Sequence, residues 1–125
     1  MRDPRRWRAR GEAMVVAAHP SAVEAGLAML RDGGNATDAA IAAELVLGLV
    51  EPQSSGVGGG GFLLHYDGAS EAIVSYDGRE RAPAGARPDT FLGADGRPMP
   101  FGDAQASGLS IGTPSLVAML KLAHE

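Results

Sequence analysis

Three stretches of the chain carry residue types whose spacing can do chemistry. Gly56, Gly58 and Gly61, inside EPQSSGVGGGGFLLHY (Glu51–Tyr66), spell G-x-G-x-x-G, a pattern that can cradle a pyrophosphate on backbone N–H groups. Ser54 and Ser55, just before them, carry hydroxyls of the nucleophile type. Arg79, in DGRERAP (Asp77–Pro83), offers a planar guanidinium fork. Such a fork holds a carboxylate through two parallel charge-assisted bonds, which lysine cannot copy.

The surrounding elements decide among these. A dinucleotide loop needs a strand before the glycines and a helix after them, so that the helix amino terminus faces the phosphates. Here the order is reversed, with a helical pattern before Glu51 and a strand pattern from Phe62, and no P-loop lysine follows. Four consecutive glycines, Gly58 to Gly61, instead suit a backbone passing very close to another backbone or a ligand. The two serines lack a G-x-S-x-G elbow and a partner base, and read as loop residues. His19, His65 and His124 are scattered without metal-ligand spacing. Asp38 and Glu44 fall on different faces of one helix, and Asp89, Asp95 and Asp103 read as turn residues.

The elements themselves follow from local signals. Met14 to Ala18 (MVVAA) is short, apolar and partly β-branched, and predicts a strand. His19-Pro20 opens a helix with Val23, Gly26, Leu27 and Leu30 on one face, stopped by Gly33-Gly34. Asn35 caps a second helix, with Asp38 in its first turn, and Glu51-Pro52 ends it. Its body is apolar almost all round, which predicts partners on several sides. Phe62–Asp67 and Glu71–Asp77 predict two strands joined by a tight turn, with Phe62, Leu64 and Tyr66 on one face and Leu63 and His65 on the other. Residues 78–113 read as a long irregular excursion, and Pro114 to Glu125 as a last helix burying Leu116, Val117, Leu120 and Ala123.

Length and composition bound the class. With 125 residues, 45% hydrophobic and 21% charged, the chain suits one soluble domain with a modest core. A net charge of −4 gives no general case for nucleic acid or membrane binding. The absence of cysteine excludes disulfides, thiol catalysis and thiolate metal sites. The apolar run from Ala36 to Val50 is too short for a bilayer span, which takes about 20 residues. Residues 1–12 contain Arg2, Arg5, Arg6, Arg8 and Arg10, and predict a basic flexible tail; no apolar run makes them a signal peptide, so the direct reading is cytoplasmic.

Taken together, HPSAVEAGLAMLRDGGNATDAAIAA, LVLGLVEPQSSGVGGGGFLLHYD, DGRERAPAGARPDTFLGADGRPMPF and GLSIGTPSLVAMLKLAHE, in this order, resemble the opening of the large subunit of the γ-glutamyltransferase (glutathione hydrolase) family. The resemblance covers residues 13–125. It implies an α/β fold, the αββα sandwich of N-terminal nucleophile hydrolases, of which only the opening helices and strands are present. It implies a precursor that cuts itself into two subunits, the new amino-terminal threonine of the small one acting as nucleophile with its own amine as base. The γ-glutamyl group of a compound such as glutathione would pass to that threonine, then to water or an amino acid or peptide. Members are often periplasmic or secreted.

Carried over residue by residue, the resemblance implies one substrate-binding residue here. Arg79 matches the arginine of the family's D-F-R-E-T-A-P segment, which binds the α-carboxylate of the γ-glutamyl group. The reading from residues alone is an arginine paired with Glu80 or Asp77. Thr37, Thr90 and Thr113 match no cleavage motif, so the chain is expected to lack the nucleophile and to be inactive without the remainder of the large subunit and the small subunit. No cofactor or metal is implied. Gly78 stands where the family usually has an aromatic residue, which is expected to loosen the hold on Arg79. Arg81 replaces a small polar residue and adds a second cation. Two alternatives stay open: a related acylase acting on another amide, such as a glutaryl or β-lactam side chain, and a non-catalytic fragment needing a partner chain.

Overall fold

The computed structural model describes residues 13–125; the expected basic tail, 1–12, lies outside them. The described chain is α/β: α1 (Pro20–Arg31), α2 (Ala36–Val50), a β1–β2 hairpin (Gly61–Asp67 and Ala72–Gly78), α3 (Phe101–Ala106), a 3₁₀ turn (Gly108–Ser110) and α4 (Leu116–His124). It clusters into two compact units. The first takes in the described residues up to Val57 together with Leu122–Glu125, and the second is Gly58–Lys121.

The first unit is a helical hairpin with tightly specified ends. His19 caps α1, its Nδ1 accepting the Ser21 amide at 3.1 Å, so this histidine is a helix-entry residue. Gly33, at φ 92°, ends α1, and the Gly34 amide returns to the Met29 carbonyl at 2.9 Å. Asn35 and Asp38 form a reciprocal capping box on α2: Asn35 Oδ1 accepts the Thr37 and Asp38 amides at 2.8 and 3.0 Å, and Asp38 Oδ2 accepts the Asn35 amide at 2.9 Å. The helices approach closely because Gly26 has no side chain, and a Cβ there would sit 3.1 Å from the Ala39 carbonyl oxygen. Among the described residues of this unit, Ala22, Ala39 and Ala43 are the buried hydrophobic ones.

Met14 to Ala18 form no strand, contrary to expectation. Their burial does alternate, with Val15 and Ala17 half-buried and Met14, Val16 and Ala18 exposed. The side-chain period of a strand is present, but a strand also needs a hydrogen-bonded neighbour. Among the described residues the sheet contains β1 and β2 alone.

In the second unit β1 and β2 pair antiparallel, Gly61 opposite Gly78 and Asp67 opposite Ala72. The turn runs through Glu71, at φ 56°, with Asp67 accepting the Ala69 amide at 3.0 Å. The two strand faces separate as the alternation predicts, but Phe62, Leu64 and Tyr66 are the exposed set. The opposite face meets α4: a Cβ on Gly61 would lie 3.4 Å from Leu116 Cδ1, and Gly78 touches Met119. α4 starts at Leu116, later than expected, and buries Leu116, Met119 and Leu120 while Val117 is exposed. Within the excursion 78–113 the short α3 and the 3₁₀ turn supply regular structure that the Pro/Gly-rich sequence does not announce.

Candidate functional site

Arg79 leaves the end of β2, and its own strand end and the stretch from Thr113 to Ser115 fix the backbone around it. Its own amide donates to Asp77 Oδ1 at 3.0 Å, a local side-chain turn. Its carbonyl accepts the Ser115 hydroxyl at 2.7 Å, and the same hydroxyl lies 2.8 Å from the Gly78 carbonyl. Two residues on, the Arg81 carbonyl accepts the Thr113 amide at 2.8 Å in an isolated antiparallel bridge. The strand end, the Arg81–Thr113 bridge and the start of α4 therefore hold residues 78–81 together.

The glycine run completes this frame. The Ser115 and Leu116 amides, at the start of α4, both donate to the Gly59 carbonyl, at 3.2 and 3.1 Å. These are helix-entry donors that have no intrahelical partner, and the glycine backbone satisfies them. A Cβ on Gly60 would lie 2.4 Å from the Gly78 carbonyl oxygen, closer than any side chain permits. At Gly60 the close approach expected of the run is backbone against backbone.

Arg79 is the sequence-predicted site residue, and its side chain remains 58% exposed. Its Nη1 lies 2.8 Å from Glu80 Oε2, an ion pair in which Glu80 is 28% exposed. That buried Oε2 has no hydrogen-bond partner among the described residues, so the charge of Arg79 beside it is what compensates it. The pairing with Glu80 expected from residues alone is present, and it engages one nitrogen of the fork. A guanidinium carries five N–H donors, so capacity for a second carboxylate remains.

Gly78 is not a loose point. It is buried, and a Cβ on it would lie 2.6 Å from Met119 Cβ. Met119 fills the space into which a side chain at residue 78 would project. Ser115, Gly112 and Met119 escaped the sequence reading. Ser115 is 36 residues from Arg79, and no local spacing signals such a contact.

The other candidates are placed elsewhere. Ser54 and Ser55 lie in the turn after α2, their amides donating to the Glu51 carbonyl. Thr37 is buried in the first turn of α2, and Thr113 serves the bridge to Arg81. His124 Nδ1 meets Asp38 Oδ1 at 2.9 Å within the first unit. The Asp38 carboxyl is held below its ordinary value by the Asn35 amide first and the His124 contact second. Partial burial pushes Glu44 up. Among the described residues, no cluster of three or more His, Asp or Glu forms a metal site, and no helix is long and apolar enough to cross a membrane.

The family model for gamma-glutamyltranspeptidase matches residues 22–125. The chain is 46% identical over 110 residues to the glutathione hydrolase proenzyme of Bacillus subtilis (strain 168), covering 88% of this chain and 19% of that protein. Against the glutathione hydrolase proenzyme of Escherichia coli (strain K12) it is 40% identical over 114 residues, covering 90% and 19%. The crystal structure of Helicobacter pylori gamma-glutamyltranspeptidase superposes with a TM-score of 0.83 at 34% identity, covering 92% of this chain and 32% of that one. The chain thus spans about a fifth of the length of these curated relatives. The helices and hairpin are the opening α/β portion of an N-terminal nucleophile hydrolase fold. The chain belongs to the gamma-glutamyltranspeptidase family.

Proposed function

We propose that the protein carrying this segment cleaves γ-glutamyl amides such as glutathione and passes the γ-glutamyl group to water or to an amino acid or peptide. On this reading Arg79 grips the α-carboxylate of the γ-glutamyl group. The observation that carries it is the exposed Arg79 fork on a backbone fixed by Asp77, Ser115 and the Arg81–Thr113 bridge. A bidentate grip needs such a fixed base, because a misplacement of about 1 Å weakens catalysis about a hundredfold.

The chemical step belongs outside residues 1–125 on this reading. The nucleophile is a threonine freed by self-cleavage, its α-amine taking the hydroxyl proton as the hydroxyl attacks the γ-carbonyl. Backbone N–H groups stabilise the resulting oxyanion. The segment alone then binds no substrate productively and turns none over; its partners are the rest of the large subunit and the small subunit.

The test is to assay the mature protein and its Arg79→Lys variant with γ-glutamyl and glutaryl anilides. Hydrolysis of the γ-glutamyl compound, with KM raised about tenfold or more in Arg79→Lys, is expected from loss of the bidentate bond. A preference for the glutaryl compound would instead identify an acylase for a different amide. An unchanged KM in the variant would remove Arg79 from the substrate site.

A further inference from the structure

We propose that Glu80 is the positioning residue of Arg79, seated in a slot that Gly60 and Gly112 keep open. The inference rests on the reading of Arg79 as the carboxylate clamp and adds what aims it. The Glu80 head and stem each lie against a bare glycine. A Cβ on Gly60 would be 2.8 Å from Glu80 Oε2, and a Cβ on Gly112 would be 2.8 Å from Glu80 Cβ. No side chain fits at either place without moving the carboxylate.

The slot does two things for the guanidinium. It places a largely buried carboxylate 2.8 Å from Nη1, where a long, exposed arginine would otherwise sample many rotamers. It also spares the rest of the fork, because one carboxylate oxygen engages one terminal nitrogen. The fork then meets a second carboxylate from a fixed direction, and less conformational freedom is lost on binding. The Arg81–Thr113 bridge brings Gly112 to this place, which gives that bridge a purpose beyond the loop itself.

The mature protein is compared with its Glu80→Gln, Glu80→Asp, Gly112→Ala and Arg79→Gln variants. Two substrates are used: γ-glutamyl anilide and 4-aminobutyryl anilide, the same skeleton without the carboxylate. Glu80→Gln keeps the shape of the side chain, so the slot stays filled while the charge is removed. The expected result is a KM for γ-glutamyl anilide raised about tenfold or more in Glu80→Gln and Gly112→Ala, with kcat far less affected. Glu80→Asp recovers part of the loss, and the rate on 4-aminobutyryl anilide stays where it was. Equal loss on both substrates, or no change in KM with Glu80→Gln, would overturn the proposal. Arg79→Gln separates the two levels. If it erases the preference for the carboxylate-bearing substrate while Glu80→Gln does not, the positioning role alone fails. If Arg79→Gln leaves the preference intact, the clamp itself is wrong and the positioning role falls with it.

Discussion

The Ser115 hydroxyl stands between the carbonyl oxygens of Gly78 and Arg79, 2.8 and 2.7 Å away, and ties the start of α4 to the end of β2. One hydroxyl proton serves two acceptors, so the bond is shared. Its effect is on the backbone: the residue that presents the guanidinium cannot slide along the strand direction without breaking it.

Ser115→Ala is therefore expected to weaken the mature protein by about 1 kcal/mol, the usual net worth of such a bond. It is also expected to raise KM for a γ-glutamyl substrate, because the Arg79 backbone is released. Ser115→Thr keeps the hydroxyl and should restore most of both. Denaturant midpoints and steady-state kinetics measure the two effects. A Ser115→Ala protein with unchanged KM would show that the neighbouring bridge alone holds Arg79.

Gly78 and Met119 form a second constrained pair. The space a residue-78 side chain would enter is held by Met119, whose Cβ is 2.6 Å from the ideal Cβ position. Gly78→Ala should cost about 1 to 3 kcal/mol through overpacking. Met119→Gly, destabilising by itself through the cavity it leaves and its poor helix propensity, removes the clashing Cβ and should be far less harmful in the Gly78→Ala background. A double-mutant cycle on unfolding free energies reads this coupling directly. Additive losses would mean that Met119 moves aside freely.

These two pairs mark the boundary of what the sequence displays. The helix ends were legible because their signals are local: Pro20, Gly33-Gly34, the Asn35–Asp38 box and Pro52 each act within a turn. The hairpin was legible from its alternation. Met14 to Ala18 misled because a strand pattern specifies side chains and not a hydrogen-bonded neighbour. Val117 was preferred to Met119 because the face of α4 is chosen by the groove at Gly61 and Gly78, which the helix sequence does not describe. Ser115 reaches the Gly78 and Arg79 carbonyls, and Gly112 reaches Glu80, only after the chain has crossed the long excursion. That information lies in the fold.

Asp38 gives a pH prediction with a definite sign. Its folded pKa is lowered from 3.8, first by the Asn35 amide, then by the His124 side chain. A lowered carboxyl contributes stability that is present above the unfolded pKa and lost as pH falls through the folded one. The stability gap between the protein and its Asp38→Asn variant should be open above about pH 4, near the ordinary carboxylate value, and close below it. His124→Ala should move the carboxyl up toward its ordinary value without reaching it, since the Asn35 amide bond remains. Urea midpoints across this range, with a carboxyl titration by NMR, test it. A gap that stays open as pH falls well below the carboxylate range would contradict the assignment.

The last prediction concerns the 125-residue chain by itself. Its buried hydrophobic residues among those described are Ala22, Ala39, Ala43, Leu116, Met119 and Leu120, three of them alanines. Meanwhile Leu49 is 79% exposed, and on the outer face of the hairpin Phe62, Leu64 and Ile73 are 67%, 74% and 71% exposed. At about 25 cal/mol per Å² of apolar surface, a core this small offsets little of the roughly 1 to 2 kcal/mol of backbone entropy lost by each ordered residue. Expressed alone, the chain should keep helical far-ultraviolet dichroism, bind a hydrophobic dye and melt over a broad range, as loosely packed states do. Co-expression with the remainder of a family member's large subunit and its small subunit should abolish dye binding and sharpen the transition. A sharp, cooperative melt of the isolated chain would mean that its helices and hairpin pack well enough to stand without those partners, and that the apolar faces are tolerated as surface.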